Sequence, residues 1–244
     1  MNLNRFFFVL LLGIRFGADS TSINNFETSL LCCRELSSYE VSNFSMAFHH
    51  ELNRKQPSKS TSTILQQLLL LLSGTVEINP GPSSIEDLNE VLNLKGIKII
   101  HQNIRGLFGK RAILQTLFNR QKCILTLSET HMTTNDSEIY KMGGYQFIHR
   151  NRQGGEGGGV AMYISEDVAW KRREDLETDD IESIWIEIDI LKGKNFLVGC
   201  IHRPPDSSLY LPKDFITHLS EMVTKVNNTN LEIFLLGDIN VNYL

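Results

Sequence analysis

The sequence predicts an α/β fold, and two features of residues 95–244 lead to this prediction. Short apolar runs that are typical of buried strands alternate with two stretches whose apolar residues recur at helical spacing. Several of the strand-like runs also end in a conspicuous polar side chain. These side chains are Asn103, Glu129, His202 and the Asp238/Asn240 pair. We expect the strands to deliver them to a shared site on one edge of a sheet pair.

The composition fits one sizeable domain with a tail. The chain has 244 residues, of which 41% are hydrophobic and 21% charged, and its net charge is −4. A general nucleic-acid-coating role is disfavoured because it needs an excess of Lys and Arg, whereas a nuclease needs only a local basic rim. The four cysteines form no C-x-x-C pair or zinc-like pattern, which favours a reducing compartment, nuclear or cytoplasmic.

Residues 1–64 are predicted to be a variable, mostly disordered extension. The run from Phe6 to Ile14 is too short to cross a membrane. It could be the apolar part of a secretory signal peptide, but an upstream extension introduced by gene prediction is preferred. The stretch from Ser37 to Thr63 is polar and lacks periodicity, as disordered segments do. No stable membrane association is expected.

Residues 65–82 form a distinct segment, followed by a predicted linker at 83–94. Five consecutive leucines favour a helix, which the Asn-Pro-Gly-Pro sequence must end. A buried helix stopped by a linker is one interpretation. The segment also closely resembles the 2A-type ribosome-skipping peptides, from which it departs at Thr75, where that family has Asp. The resemblance implies that the bond between Gly81 and Pro82 is often never made.

The first part of the domain predicts a strand, a helix and a second strand. The strand covers Gly96 to Ile104, the helix Ala112 to Lys122, and the second strand Cys123 to Thr130. Such an order implies a right-handed crossover between parallel or neighbouring strands.

A glycine-rich stretch, Gln153 to Gly159, is predicted to be a flexible loop between hairpin strands at Tyr145 to Arg150 and Val160 to Ile164. It matches neither G-x-G-x-x-G nor G-x-x-x-x-G-K-[ST], so a nucleotide cradle has no support.

The last part predicts a hairpin, a helix and a buried strand. The hairpin joins Ile184 to Ile190 with Asn195 to Ile201, the helix covers Lys213 to Val226, and the strand covers Leu231 to Leu236. Gly237 then lets the backbone turn as the strand emerges.

Asp238 and Asn240 follow that strand two residues apart, on one side of an extended chain. A carboxylate beside an amide suits phosphate hydrolysis, because the carboxylate can take a proton from water and the amide can hold water or a phosphoryl oxygen. The alternative interpretation is a plain turn, since Gly, Asp and Asn all favour turns.

The ordered motifs resemble the endonuclease/exonuclease/phosphatase superfamily, which includes deoxyribonuclease I. The motifs are Gln-Asn-Ile-Arg-Gly-Leu, Leu-Ser-Glu-Thr-His, Gly-Gly-Val-Ala-Met-Tyr-Ile, His-Arg-Pro-Pro and Gly-Asp-Ile-Asn. Within that superfamily they are most similar to the apurinic-type endonuclease of LINE-like non-LTR retrotransposons. The resemblance covers roughly residues 95–244 and implies a four-layer α/β sandwich of two packed sheets with helices outside.

The resemblance also implies a role for each strand-end residue. Glu129 would ligate Mg²⁺, with Mn²⁺ as the alternative, and Asn103 would support the metal or the scissile phosphate. Asp238 would orient and deprotonate the attacking water, and Asn240 would contact the phosphate. His202 stands where the family usually has Tyr, and it can still donate a hydrogen bond to phosphate.

Basic residues near these motifs are candidate DNA contacts. They are Arg105, Arg150, Arg152 and Arg203. The Lys171-Arg172-Arg173 run could add to a phosphate-facing rim or could be a solvated face.

The resemblance further implies a nick that exposes a 3′ hydroxyl for a reverse transcriptase carried by the full-length element. The family's later Asp and its final Asp-His pair lie beyond Leu244, so we expect a domain incomplete at its C-terminus and impaired in activity. Two alternatives stay open. One is a phosphoesterase of the same fold acting on lipid, inositol or nucleotide phosphates, and the other is an inactive remnant.

Overall fold

The computed structural model describes most of the second half of the chain. It covers residues 92–93, 96–133, 137–153, 157–205, 208 and 214–239. Further upstream it describes the backbone of five short strands, β1 (Phe6–Phe8), β2 (Ile14–Arg15), β3 (Asn25–Phe26), β4 (Ser29–Cys32) and β5 (Glu77–Pro80). The predicted boundaries at 64, 82 and 94 and the predicted skipping junction at Gly81 and Pro82 lie outside the described residues and stay predictions.

The first sheet has four strands. They are β6 (Lys98–Asn103), β7 (Cys123–Ser128), β8 (Tyr145–Arg150) and β9 (Val160–Ser165), in the spatial order β6-β7-β9-β8. Strands β6 and β7 run parallel and are joined through the helix α1 (Arg111–Leu117), as the predicted crossover requires. Strands β8 and β9 form the predicted hairpin around the glycine-rich loop.

The second sheet has five strands, in the order β1-β13-β12-β11-β10. Its later members are β10 (Trp170–Arg172), β11 (Glu182–Ile188), β12 (Phe196–His202) and β13 (Glu232–Asp238). Strands β11 and β12 form the predicted antiparallel hairpin. Strands β12 and β13 are parallel and are connected through the helix α2 (Phe215–Asn227).

The two sheets pack face to face, and each helix covers the outer face of one sheet. Alternate residues of each strand point to opposite faces, so one set fills the space between the sheets. This inner core contains Ile124, Met162, Ile164, Ile184, Ile186, Ile188, Val198, Cys200 and Leu236. Leu114 of α1 packs on the outside of the first sheet and Met222 of α2 on the outside of the second. The predicted four-layer α/β sandwich is confirmed.

Most predicted element ends shift slightly in the structure, and two differences are larger. Helix α1 ends at Leu117 rather than continuing to Lys122, because Arg120 takes the left-handed conformation with φ +59°. The short edge strand β10 was not predicted, because Trp170–Arg172 has too few residues to show an alternating pattern. In the described part of the chain, no helix is long and apolar enough to cross a membrane.

Candidate functional site

Four predicted site residues meet at one end of the sandwich. Asn103 is the last residue of β6, and Glu129 directly follows β7, its parallel neighbour. His202 and Asp238 are the last residues of β12 and β13 and lie opposite each other in the parallel register. Because both parallel pairs point the same way and β13 packs against β6 and β7, the strand ends of the two sheets form one site.

The Asn103 amide lies between two carboxylates. Its Nδ2 donates to Glu129 Oε1 at 2.8 Å and to Asp238 Oδ2 at 2.6 Å, while its Oδ1 accepts from the Arg105 backbone N–H at 3.3 Å. Hydrogen bonds from an amide to ionised carboxylates are stronger than those between neutral groups. The amide therefore holds together two like charges that would otherwise repel each other.

The site offers a set of ligand atoms that fits a divalent cation. One ligand atom each from Glu129, His202 and Asp238 lies within 4.8 Å of the other two. Carboxylate oxygens and an imidazole nitrogen are ordinary ligands for divalent metals in proteins. A bound cation would be held by Glu129 with support from its neighbours, and the ligand role that the sequence resemblance implies for Glu129 stays a prediction.

The backbone at Glu129 has an uncommon conformation. Its φ is +52°, and two other non-glycine residues beside the site, Arg105 and His131, have φ values of +44° and +50°. Left-handed backbone is unfavourable for such residues and persists only where the surroundings hold it in place. Here the Glu129 carbonyl accepts from Gly106 N at 2.8 Å, and His131 N donates to Gly158 O at 2.9 Å. These bonds hold the turn that aims the Glu129 carboxylate into the site.

The sequence reasoning missed Glu182, the first residue of β11. It lies opposite His202 in the antiparallel register, and its Oε2 is 2.8 Å from His202 Nδ1. Arg152 Nε donates to its other oxygen, and Gly159 N donates to Oε2 at 2.7 Å. A Glu just ahead of an apolar strand is an ordinary sequence feature, so only the pairing of β11 with β12 reveals its role.

The surroundings of Glu182 favour its charged form. Burial alone would raise the pKa of this carboxyl, but its hydrogen bonds with His202, Arg152 and Gly159 lower it below its usual range. Glu182 is therefore an anion held behind His202.

One ring nitrogen of His202 has a hydrogen-bond partner, and the other has none among the described residues. Nδ1 meets Glu182, whereas Nε2 is buried and has no hydrogen-bond partner among the described residues. The residue is only 2% exposed. A buried polar atom without a partner is unusual and calls for an explanation.

A second histidine, His131, lies on the solvent side of the cluster, with its Nε2 at 3.7 Å from Glu129 Oε2. Burial lowers its pKa, and the Glu129 charge opposes that shift. The other nearby histidine, His101, is fully buried, and its two ring nitrogens lie near the Thr126 and Ser128 hydroxyls. It is a buried core residue.

Gly237 allows β13 to reach the site, although for a different reason from the predicted turn. The strand continues through Gly237 to Asp238, and a Cβ on Gly237 (φ +149°) would overlap the backbone carbonyl oxygen of Ile201. Only glycine permits this close approach of β13 to β12, which brings Asp238 beside His202.

The four candidate DNA-binding arginines differ in accessibility. The Arg105 side chain is 80% exposed and its Nε lies 4.0 Å from Glu129 Oε2. The other three are largely covered. Arg150 pairs with Glu177 and Asp179, Arg152 contacts Glu182, and Arg203 lies over the Phe215 ring.

The placement of Arg203 argues against its predicted DNA contact. This residue is 0% exposed, and its backbone N–H donates to Asp238 O at 2.8 Å, so it supports the strand end from inside the protein. Arg150 and Arg152 have acidic partners that would have to be displaced before they could meet a phosphate. Of the four candidate arginines, only Arg105 is therefore placed to contact a phosphate.

Lys171 and Arg172 lie on the edge strand β10, Arg173 directly follows it, and all three are paired with acidic groups. Lys171 and Arg173 meet Glu187, and Arg172 meets Glu177. This pairing agrees with a solvated face rather than a phosphate-facing rim.

A cavity of about 300 Å³ opens beside His202 and Glu182 and extends to Phe215. Charged groups of both signs line it. The remaining predicted site residue, Asn240, lies outside the described residues, and its contact with phosphate stays a prediction.

No protein-family model matches the sequence, and no curated protein matches it at the sequence level. Solved structures similar to this chain include the endonuclease domain of TRAS1, a telomere-specific non-LTR retrotransposon. It is 15% identical with a TM-score of 0.41, over 59% of this chain and 58% of that one. An AP endonuclease from Leishmania major is 15% identical with a TM-score of 0.46, over 76% of this chain and 60% of that one.

A third similar structure is an endonuclease/exonuclease/phosphatase family protein from Bacteroides thetaiotaomicron. It is 17% identical with a TM-score of 0.37, over 58% of this chain and 61% of that one. The chain thus spans less than two thirds of the length of each of these proteins.

Proposed function

We propose that this chain carries a metal-dependent phosphodiesterase that nicks DNA and serves as the endonuclease domain of a non-LTR retrotransposon. One observation carries the proposal: Asn103, Glu129, His202 and Asp238, from four strands in two sheets, converge on one cluster. Carboxylates with an amide and an imidazole are the groups that metal-assisted phosphate hydrolysis needs.

Each residue has a distinct task in the proposed reaction. Glu129 holds a divalent cation, Mg²⁺ or Mn²⁺, and its left-handed backbone keeps the carboxylate aimed at the site. Asp238 orients the attacking water and accepts its proton, while Asn103 fixes the Asp238 carboxylate through the 2.6 Å hydrogen bond. A bound cation would stabilise the charge that develops on the phosphoryl and leaving oxygens.

DNA is the proposed substrate because the ordered motifs resemble those of retrotransposon endonucleases and because Arg105 presents an exposed cation beside Glu129. The nick would expose a 3′ hydroxyl for a reverse transcriptase of the same element. Such a role requires access to chromosomal DNA, hence a nuclear location at the time of reaction.

Nicking of supercoiled plasmid tests the proposal. We expect the wild-type chain to convert the plasmid to open circles with Mg²⁺ or Mn²⁺ and to stop when EDTA is added. Glu129→Gln and Asp238→Asn should each lower the rate at least ~100-fold. The matched control is Glu166→Gln, which removes an exposed carboxylate after β9 and should leave the rate unchanged. Equal nicking in the presence of EDTA, or by all three variants, would refute the proposal.

A second candidate function is supported by the small basic surface. Since only Arg105 of the four arginines is well exposed, a short phosphate ester is also a plausible substrate. Hydrolysis of inositol phosphates, lipid phosphates or nucleotides without nicking of DNA would favour that phosphoesterase. Absence of hydrolysis with every substrate would indicate an inactive remnant.

A further inference from the structure

We propose that His202 is a direct ligand of the site's cation through Nε2, and that this ligand makes the site prefer Mn²⁺ to Mg²⁺. The inference deepens the proposed function by assigning its metal, and it concerns the same cluster. It rests on three observations about the His202 side chain.

The first observation is the uncommitted ring nitrogen. His202 is 2% exposed, and its buried Nε2 has no hydrogen-bond partner in the described part of the chain. Leaving such an atom unsatisfied is unfavourable. Glu129 and Asp238 offer acceptors rather than protons when ionised, so neither can satisfy a bare ring nitrogen, whereas a cation held by Glu129 and Nε2 does.

The second observation is the partner on the other ring nitrogen. Nδ1 lies 2.8 Å from Glu182 Oε2, and an ionised carboxylate can only accept, so Nδ1 carries the proton. In the neutral ring this leaves the Nε2 lone pair free. Metal-binding histidines are oriented in this way, with the second nitrogen donating to a carboxylate.

Glu182 is itself fixed. Arg152 Nε and Gly159 N both donate to it, so the carboxylate cannot swing away from the ring. A Cβ added to Gly159 would lie only 2.7 Å from Thr130 Oγ1. A glycine at this position therefore lets the backbone N–H approach Glu182. The glycine-rich loop thus contributes to the orientation of His202.

The third observation is the spacing of the ligand atoms. Ligands that lie ~2.0–2.2 Å from a metal are at most ~4.4 Å from each other. One ring nitrogen of His202 and one carboxylate oxygen each of Glu129 and Asp238 lie within 4.8 Å of one another. Since Nδ1 is held by Glu182, a small shift that brings Nε2 to the cation closes the site. In this arrangement Glu129 and His202 hold the cation and Asp238 faces the water beside it.

The chemistry of this donor set explains the metal preference. Mg²⁺ demands oxygen ligands in near-ideal octahedral geometry and gives up its waters reluctantly. Mn²⁺ also takes carboxylate ligands, but as a transition metal it accepts an imidazole nitrogen more readily than Mg²⁺ does. An imidazole nitrogen in the donor set, beside carboxylate oxygens, therefore shifts the preference from Mg²⁺ towards Mn²⁺.

His131 is the competing ligand, since its Nε2 lies 3.7 Å from Glu129 Oε2. Its side chain is 41% exposed, so water can satisfy its ring. A test must separate the two histidines. His131→Asn is a suitable control because Asn tolerates the left-handed conformation at this position better than most residues.

Binding of Mn²⁺ to the full chain, followed by electron paramagnetic resonance, tests the assignment directly. We expect wild-type protein to bind Mn²⁺ more tightly than Mg²⁺ and to show nitrogen coupling from one imidazole to the bound Mn²⁺. His202→Phe should lose that coupling, and Glu182→Gln should keep it but bind Mn²⁺ about 10–100-fold more weakly. His131→Asn should behave like the wild type.

Far-ultraviolet circular dichroism and thermal unfolding show whether each variant is folded. If His202→Phe does not fold, His202→Gln replaces it, since Gln can still donate to Glu182. Loss of the nitrogen coupling in His131→Asn, its persistence in a folded His202 variant, or tighter binding of Mg²⁺ by the wild type would overturn the assignment.

Plasmid nicking measured on the same samples separates the two proposals. Imidazole-coupled Mn²⁺ binding without nicking would refute the proposed function and would still support the metal assignment. Nicking without imidazole coupling would do the reverse.

Discussion

The Asn103 amide nitrogen donates to Asp238 Oδ2 at 2.6 Å, from one sheet to the other. The same nitrogen donates to Glu129 at 2.8 Å. One neutral side chain thus joins the ends of β6, β7 and β13 and separates two carboxylates that carry like charges.

Replacing Asn103 with Leu should destabilise the folded chain. The change keeps a similar volume but removes both donors, which leaves Glu129 and Asp238 to repel each other. We expect a loss of about 1.5–3 kcal/mol in the free energy of unfolding, measured by urea denaturation without divalent metal. Saturating Mn²⁺ should recover part of the loss, because a cation can replace the amide between the carboxylates. Asn228→Leu, at an exposed position after α2, is the control, and an equal loss there would contradict the prediction.

Gly237→Ala should be strongly destabilising. A Cβ at this position would overlap the Ile201 carbonyl oxygen, so β12 and β13 must separate where they carry His202 and Asp238. Gly144→Ala is the control, since it also has positive φ (+81°) but nothing within 4 Å of an added Cβ. We expect Gly237→Ala to cost at least ~2 kcal/mol more than Gly144→Ala in denaturant unfolding. Similar costs would mean that backbone conformation, rather than the clash, decides the effect.

Arg105→Ala should weaken DNA binding and reduce its salt dependence. Each phosphate contact that is lost lowers the slope of log K against log salt by about 0.9. Fluorescence anisotropy with a duplex in EDTA measures binding without cleavage. Arg203→Met is the contrast, since Arg203 is buried and its loss should lower thermal stability and leave the salt slope unchanged. A change in slope with Arg203→Met alone would reverse our interpretation of the two arginines.

The stability contributed by Glu187 should depend on pH. Burial would raise the pKa of this carboxyl, but hydrogen bonds from Asn195, Lys171 and Arg173 outweigh it and lower the pKa below its ordinary 4.5. A carboxyl whose pKa is lower when folded stabilises the protein above its unfolded pKa, and that stability is lost as the pH falls through the folded pKa.

Glu187→Gln should therefore cost about 1.5–3 kcal/mol at pH 7 and clearly less at the lowest pH at which the wild type still folds. Urea unfolding at several pH values checks this, with Glu166→Gln as an exposed control. A difference between Glu187→Gln and wild type that stays constant from pH 7 into the acid range would rule out the charge as the cause.

Much of the fold follows from local sequence patterns. The apolar runs predicted every strand of the inner core, because burial between two sheets demands apolar residues over short, well-bounded stretches. Strand β10 was not predicted because Trp170–Arg172 is an edge strand, and its basic residues pair with acidic side chains instead of packing in a core. The α/β class and the sandwich were therefore predictable, and the edge was not.

The candidate site was only partly predictable. Asn103, Glu129, His202 and Asp238 each end a strand-like run, which is a local signal. Glu182 is recruited by the register of β11 against β12, and register is a relationship between distant segments. The burial of Arg203 could not be predicted from the sequence either. A basic residue that follows a strand gives no local sign that it will lie over the Phe215 ring.

The division of the site between two sheets has a consequence for biosynthesis. Asn103 and Glu129 leave the ribosome long before Asp238, so a growing chain carries one half of the cluster without the other. The cluster cannot form until β13 has inserted beside β12, and its assembly waits on contacts between distant parts of the sequence, which form slowly. A protein that cuts DNA in this way would become competent only as a finished molecule, and any loosening of the two sheets from each other would switch it off before it unfolds.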